Sequence, residues 1–161
     1  MKLKKLAALL CALMLCLAGL AASAENTTVQ EGDNDMQMMI GETPVTVAWE
    51  DNASVEALKA LVAEGPLSAE GSAPAEGLTI EMSMYGGFEQ VGSIGQSLPR
   101  DDQQTTTASG DIVLYSGNQM VVFYGSNSWA YTRLGHITDQ TPEQMKALLG
   151  SGDVTITLSM K

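Results

Sequence analysis

The sequence predicts a mainly β protein with two helices available to close the ends of a barrel. Three patterns carry that expectation. Residues 110–125 read G-D-I-V-L-Y-S-G-N-Q-M-V-V-F-Y-G. There two strand-forming runs, residues 112–115 and 120–124, flank Gly117-Asn118, a pair suited to a two-residue turn with positive φ. Both runs are apolar almost throughout, so both faces of this hairpin are expected to meet other parts of the fold. Elsewhere several stretches alternate apolar and polar residues with the period of a strand, and two carry capped, helix-spaced apolar positions.

The first segment is expected to be removed. Lys2, Lys4 and Lys5 precede an apolar run over residues 6–20, and Ala22-Ser23-Ala24 offers a small-x-small cleavage site, so residues 1–24 read as a secretory signal cleaved after Ala24. The run is short for a spanning helix, and no stable membrane insertion is expected after cleavage. Export implies a secreted or extracytoplasmic protein of the cell envelope. Cys11 and Cys16 both fall inside this segment, which leaves the mature chain without disulfides, a thiolate nucleophile or a cysteine-bound metal. Residues 25–35 are polar and mostly acidic and read as a flexible leader.

The remaining residues, 36–161, form one domain, large enough to hold together through its core. Met36, Met38 and Ile40, then Val45, Val47 and Trp49, alternate about Gly41-Glu42 as a hairpin. Asp51-Asn52 caps a helix whose apolar positions Val55, Leu58, Leu61 and Val62 run until Gly65-Pro66. Residues 66–77 lack any periodic apolar face and read as a surface loop. Ile80, Met82 and Met84 alternate before Gly86-Gly87, and residues 88–98 read as glycine-interrupted strand with bulges. Residues 100–109 are polar and read as a loop into the central hairpin. Beyond it, residues 126–133 read as turn-prone, with Leu134 to Ile137 a short strand. Thr141-Pro142-Glu143-Gln144 has the pattern of a capping box with proline at the first helical position, followed by Met145, Leu148 and Leu149 and then Gly150. Val154, Ile156, Leu158 and Met160 alternate to the end.

Charge narrows the partners. Without Lys2, Lys4 and Lys5, five basic residues face nineteen acidic ones, a formal charge of −14 that repels nucleic acid and anionic lipid. The acidity is read first as serving solubility.

Several motifs in order carry a resemblance. The stretch L-T-I-E-M-S-M-Y-G-G-F-E-Q, the Leu98-Pro99 pair, the G-D-I-V-L-Y…V-V-F-Y-G hairpin, L-G-H-I and the terminal G-D-V-T-I-T-L together resemble the small bacterial cyclophilin-like fold proteins, over residues 36–161. The resemblance implies a closed or nearly closed eight-stranded β-barrel capped by two α-helices. Membership in a fold does not confer an activity. True cyclophilins, as prolyl isomerases, use an arginine on a barrel strand with aromatic residues and a histidine. Their F-H-R signature does not occur here, where the aligned region reads Met82-Ser83-Met84-Tyr85. No catalytic residue is carried over.

Three constellations remain. The single histidine, His136, has the chemistry of a general base or metal ligand, but the plainer reading is an exposed strand residue. A set of aromatic and charged side chains, Tyr85, Glu89, Tyr115, Tyr124, Trp129, Tyr131 and Arg133, falls on segments that a barrel can bring to one face, as a pocket with aromatic walls and few polar anchors requires. These are the candidate ligand-binding residues. Methionines at 36, 38, 39, 82, 84 and 120 offer soft donors suited to Cu(I), with Met82, Met84 and His136 a conceivable set if the first and third strands pair. The plainer reading is that methionine fills irregular apolar space. The leading expectation is a non-enzymatic module binding a small molecule, peptide or protein, without a cofactor. The alternatives are a prolyl isomerase with a divergent site and a Cu(I)-binding protein.

Overall fold

The computed structural model describes residues 36–65 and 77–161. The expected signal peptide, the acidic leader and all but the last residue of the expected 66–77 loop lie outside the described residues. Ten strands and two helices follow in the order β1 (Met36–Ile40), β2 (Thr43–Val45), β3 (Val47–Trp49), α1 (Ala53–Glu64), β4 (Leu78–Tyr85), β5 (Glu89–Ser93), β6 (Gln103–Thr106), β7 (Asp111–Tyr115), β8 (Gln119–Phe123), β9 (Ser128–Ile137), α2 (Pro142–Leu149) and β10 (Val154–Met160).

The hydrogen-bonded path runs β2-β1-β10-β4-β5-β8-β7-β9-β3, with β6 attached to β9 outside it. Its two ends are neighbours in the chain. Thr46 separates β2 from β3, its N–H donating to Asp139 Oδ2 at 3.0 Å and its carbonyl accepting from Thr138 N–H at 2.9 Å. This break lets one strand leave β1 and join β9. Counted as a single interrupted strand, β2 and β3 complete a ring of eight, so the sheet is the nearly closed barrel that the resemblance implies.

Alternation decides what fills it. Met36, Met38 and Ile40 of β1, Ile80 and Met82 of β4, Ile112 and Leu114 of β7, Met120 and Val122 of β8, and Ile156 and Leu158 of β10 all point inward and are buried. Both helices pack their apolar faces on this core. Asn52 caps α1 by accepting from Val55 N–H at 3.0 Å, and Val55, Leu58 and Val62 turn toward the core. Thr141 and Gln144 form the reciprocal capping box of α2, which buries Met145 and Leu149. Gln90, on the inner face of β5, donates to the carbonyls of Leu149 and Gly152 and so holds the end of α2, whose last carbonyls have no partner within the helix.

A second, smaller cluster lies on the outside of the barrel: Val113, Val121, Phe123 and Tyr131, with Phe88 and Val91 against it. The central hairpin is therefore covered on both faces, as its composition implies. Its turn differs from expectation. Tyr115 pairs with Gln119, which leaves a three-residue loop with positive φ at Ser116 and Gly117 rather than at Gly117-Asn118.

Three other expectations are corrected. Residues 103–106 of the presumed polar loop form β6, and residues 128–133 of the presumed turn-prone stretch belong to the ten-residue β9. The reason is shared. Residues 128–131 of β9 extend beyond β7 and need a partner for their backbone groups, and β6 supplies it. Third, β5 ends at Ser93, because the carbonyls of Asn118 and Gly117 take the N–H groups of Ile94 and Leu98 and draw residues 94–98 around the hairpin turn.

Gly92 faces inward opposite Met82, where β4 passes closest. A Cβ there would lie 2.6 Å from both Glu81 O and Ile80 Cγ2 and against Met82 Sδ. Gly92→Ala is expected to destabilise the fold by about 2 kcal/mol through overpacking, read as a lower midpoint in urea unfolding with an unchanged slope.

Candidate functional site

The outer face of the barrel over β4, β5, β8, β7 and β9 holds a cavity of about 270 Å³. Val91 and Val121, directly paired across β5 and β8, form its floor. Register supplies the walls. Tyr85 and Glu89 face each other across the β4–β5 turn, in which Gly86 and Gly87 both take positive φ, and Tyr115 and Gln119 face each other across the β7–β8 turn. Trp129 and Tyr131 come from the part of β9 that pairs with β6.

Tyr131 is the buried ring of the set. It stands edge-on to Tyr115, with centroids 6.1 Å apart, and to Phe123 at 5.8 Å, and its hydroxyl accepts from Asn127 Nδ2 at 3.0 Å. Burial, with the Glu89 carboxylate as a smaller cause, pushes its phenol up from the ordinary tyrosine value. The other three rings are open to solvent: Tyr85 is 67% exposed, Trp129 58% and Tyr115 40%. Of the five large apolar side chains most exposed among the described residues, these are three. A soluble surface rarely gathers such side chains without a use for them.

Glu89 is the polar counterpart. It is 6% exposed, and its Oε2 is buried with no hydrogen-bond partner. Desolvation pushes its carboxyl up from the usual carboxylate value.

The cavity thus brings together Tyr85, Glu89, Tyr115, Trp129 and Tyr131 of the candidate set. Two candidates lie elsewhere. Tyr124 is buried in the main core, its side chain near Gly150 at the end of α2. Arg133 lies on the outer face of β9 but turns to Glu50 and Asp111, at 3.2 Å each. Asp111 Oδ1 also accepts from His136 Nδ1 at 2.8 Å, and its Oδ2 from Ala108 N–H at 2.8 Å. This buried carboxylate ties β7 to β9 beside the β-bulge at Ile112/Val113. Arg133 and His136 therefore serve the tie between strands, and neither lines the cavity.

The methionine set is not assembled. β10 runs between β1 and β4, so the first and third strands do not pair, and β4 stands opposite β9 across the ring. Met82 is in the core while Met84 is exposed. No group of three or more His, Cys, Asp or Glu suited to a metal ion occurs among the described residues.

The sequence reading missed four lining residues: Val91, Gln119, Val121 and Asn127. Three of them were within reach, since Val91 and Val121 alternate with inward positions and Gln119 opposes Tyr115 once the turn is given three residues.

Glu89 sets a pH dependence. Its folded pKa lies above its unfolded one, so the native state holds the proton more tightly, and stability is lost as pH rises through the folded value. Glu89→Gln keeps the shape and removes the desolvated charge. It is expected to raise Tm by a few degrees at pH 7, with the difference fading toward pH 3, measured by calorimetry at both pH values.

No curated protein and no solved structure matches the chain. The sequence profile of the cyclophilin-like family matches residues 38–159, which span both helices and all of the barrel except the first two residues of β1 and the last of β10. The chain belongs to the cyclophilin-like family.

Proposed function

We propose that this protein is an exported, non-enzymatic binding module that holds a small ligand, or one side chain of a larger partner, in the cavity on the outer face of its barrel. One observation carries the reading: three solvent-exposed aromatic rings and a buried, unpartnered carboxylate converge on one concave surface with an apolar floor. Rings of this size bury much area on binding at little cost in side-chain entropy. All of them project from strands paired within the sheet, so the backbone that carries them is ordered before a ligand arrives, which lowers the cost of association. Export rests on the basic, apolar and small-residue pattern of residues 1–24.

A thermal-shift screen of small molecules tests the binding role. Ligands of this site are expected to raise Tm, by about 2.7 kcal/mol of added stability at a hundredfold excess over Kd. They should lose that effect in a Tyr85→Ala/Trp129→Ala double variant, whose exposed positions cost the fold little. Hits that stabilise both proteins equally, or no hits at all, would sink the reading. For export, N-terminal sequencing of the protein recovered outside the cytoplasm should begin at Glu25; recovery of the uncleaved chain inside the cell overturns it.

A further inference from the structure

Resting on that reading of the cavity as a ligand site, its chemistry says which kind of ligand it takes. Nine residues line it, and the single formal charge among them is that of Glu89; no lysine, arginine or histidine is present in the lining. The Glu89 side chain is more than nine-tenths buried, and Oε2 has no donor from the protein. Four of the other eight lining residues are aromatic: Tyr85, Tyr115, Trp129 and Tyr131.

We propose that the cavity binds a compact organic cation, an alkylated ammonium group held between these four aromatic side chains and neutralised by Glu89.

Each alternative occupant fails on a specific cost. A neutral apolar ligand would cover Glu89 further and leave its carboxylate both desolvated and unpaired, which is costly in a low dielectric. An anion would meet that carboxylate directly, in a chain whose formal charge is −11. A hard metal ion needs several oxygen donors, and the lining offers one carboxylate. An ammonium group meets the whole site. Its charge neutralises the Glu89 carboxylate, whose Oε2 has no donor from the protein, and its alkyl shell, weakly hydrated, is attracted to the negative faces of aromatic rings. The raised carboxyl of Glu89 agrees with this geometry, since burial without a partner is its one cause. The acidic surface adds long-range attraction for cations arriving from solution.

Calorimetric titration of the purified protein with choline chloride, n-butylammonium chloride and 3,3-dimethyl-1-butanol, the uncharged shape analogue of choline, tests the proposal. At least one cation is expected to bind about tenfold or more tighter than the alcohol, and Glu89→Gln should weaken that cation by about tenfold while the alcohol, freed of the cost of covering a bare carboxylate, binds as well or better. A capped Gly-Lys-Gly peptide separates the two sources of such a group. Binding at least as tight as n-butylammonium identifies a lysine side chain of a partner, and weaker binding identifies a free amine. Circular dichroism and the rise in Tm expected of Glu89→Gln confirm that the variant is folded. Neither cation binding tighter than the alcohol, or a cation affinity untouched by Glu89→Gln, overturns the proposal. If no cation binds while neutral hits of the thermal-shift screen depend on Tyr85 and Trp129, the cation inference falls and the binding site stands. If nothing binds by either method, both fall.

Discussion

The hairpin of β7 and β8 is buried on both faces, and the rest of the structure follows from that constraint. Its inward residues, Ile112, Leu114, Met120 and Val122, need a closed barrel around them. Its outward residues, Val113, Val121 and Phe123, need a second cover, which the barrel itself cannot supply. Tyr131 supplies it, and it can do so because β9 passes from pairing with β6 to pairing with β7 along its length. The cover is incomplete over Val91 and Val121, and that gap is the cavity. The candidate site is thus a packing consequence of placing apolar residues on both sides of one ribbon.

Much of this architecture is legible in the sequence because local chemistry and global fold agree. Asn52 and Thr141 cap helices where their side chains match the free N–H groups, and the alternation in β1, β4 and β10 states directly which side is inward. The losses occur where local signals are silent. Gln103 to Thr106 has no apolar periodicity, and nothing within it announces a strand; it becomes one because β9 presents unpaired backbone groups. Trp129, Tyr131 and Thr132 do favour extended backbone, so the length of β9 was partly readable and was masked by the neighbouring Ser126, Asn127 and Ser128. Arg133 shows a different limit. Its position on the outer face follows from alternation, but it turns to Asp111, a residue of a different strand beside the bulge.

Glu89 and Gln90 show how adjacent residues of one strand divide two tasks. Gln90 points inward, and its Nε2 donates to the carbonyls of Leu149 and Gly152 at the end of α2, while its Oε1 is buried without a partner. Glu89 points outward, and its burial opposes stability because no protein group answers it. A carboxylate kept in such a position is the kind of local conflict that binding sites retain at a cost in stability.

Closure of the barrel also bears on how the protein behaves among many copies of itself. The nearly closed ring leaves unpaired edges at the ends of its path only on β2 and β3, three residues each and separated by Thr46, which gives a neighbour little to add to. Among the described residues, the strand left outside the ring is β6, paired on one side with β9. It is four residues long, and its side chains are glutamine and threonine. A short edge without apolar side chains is a poor template for intermolecular sheet growth, so the barrel can display an aromatic surface patch while offering little backbone for aggregation.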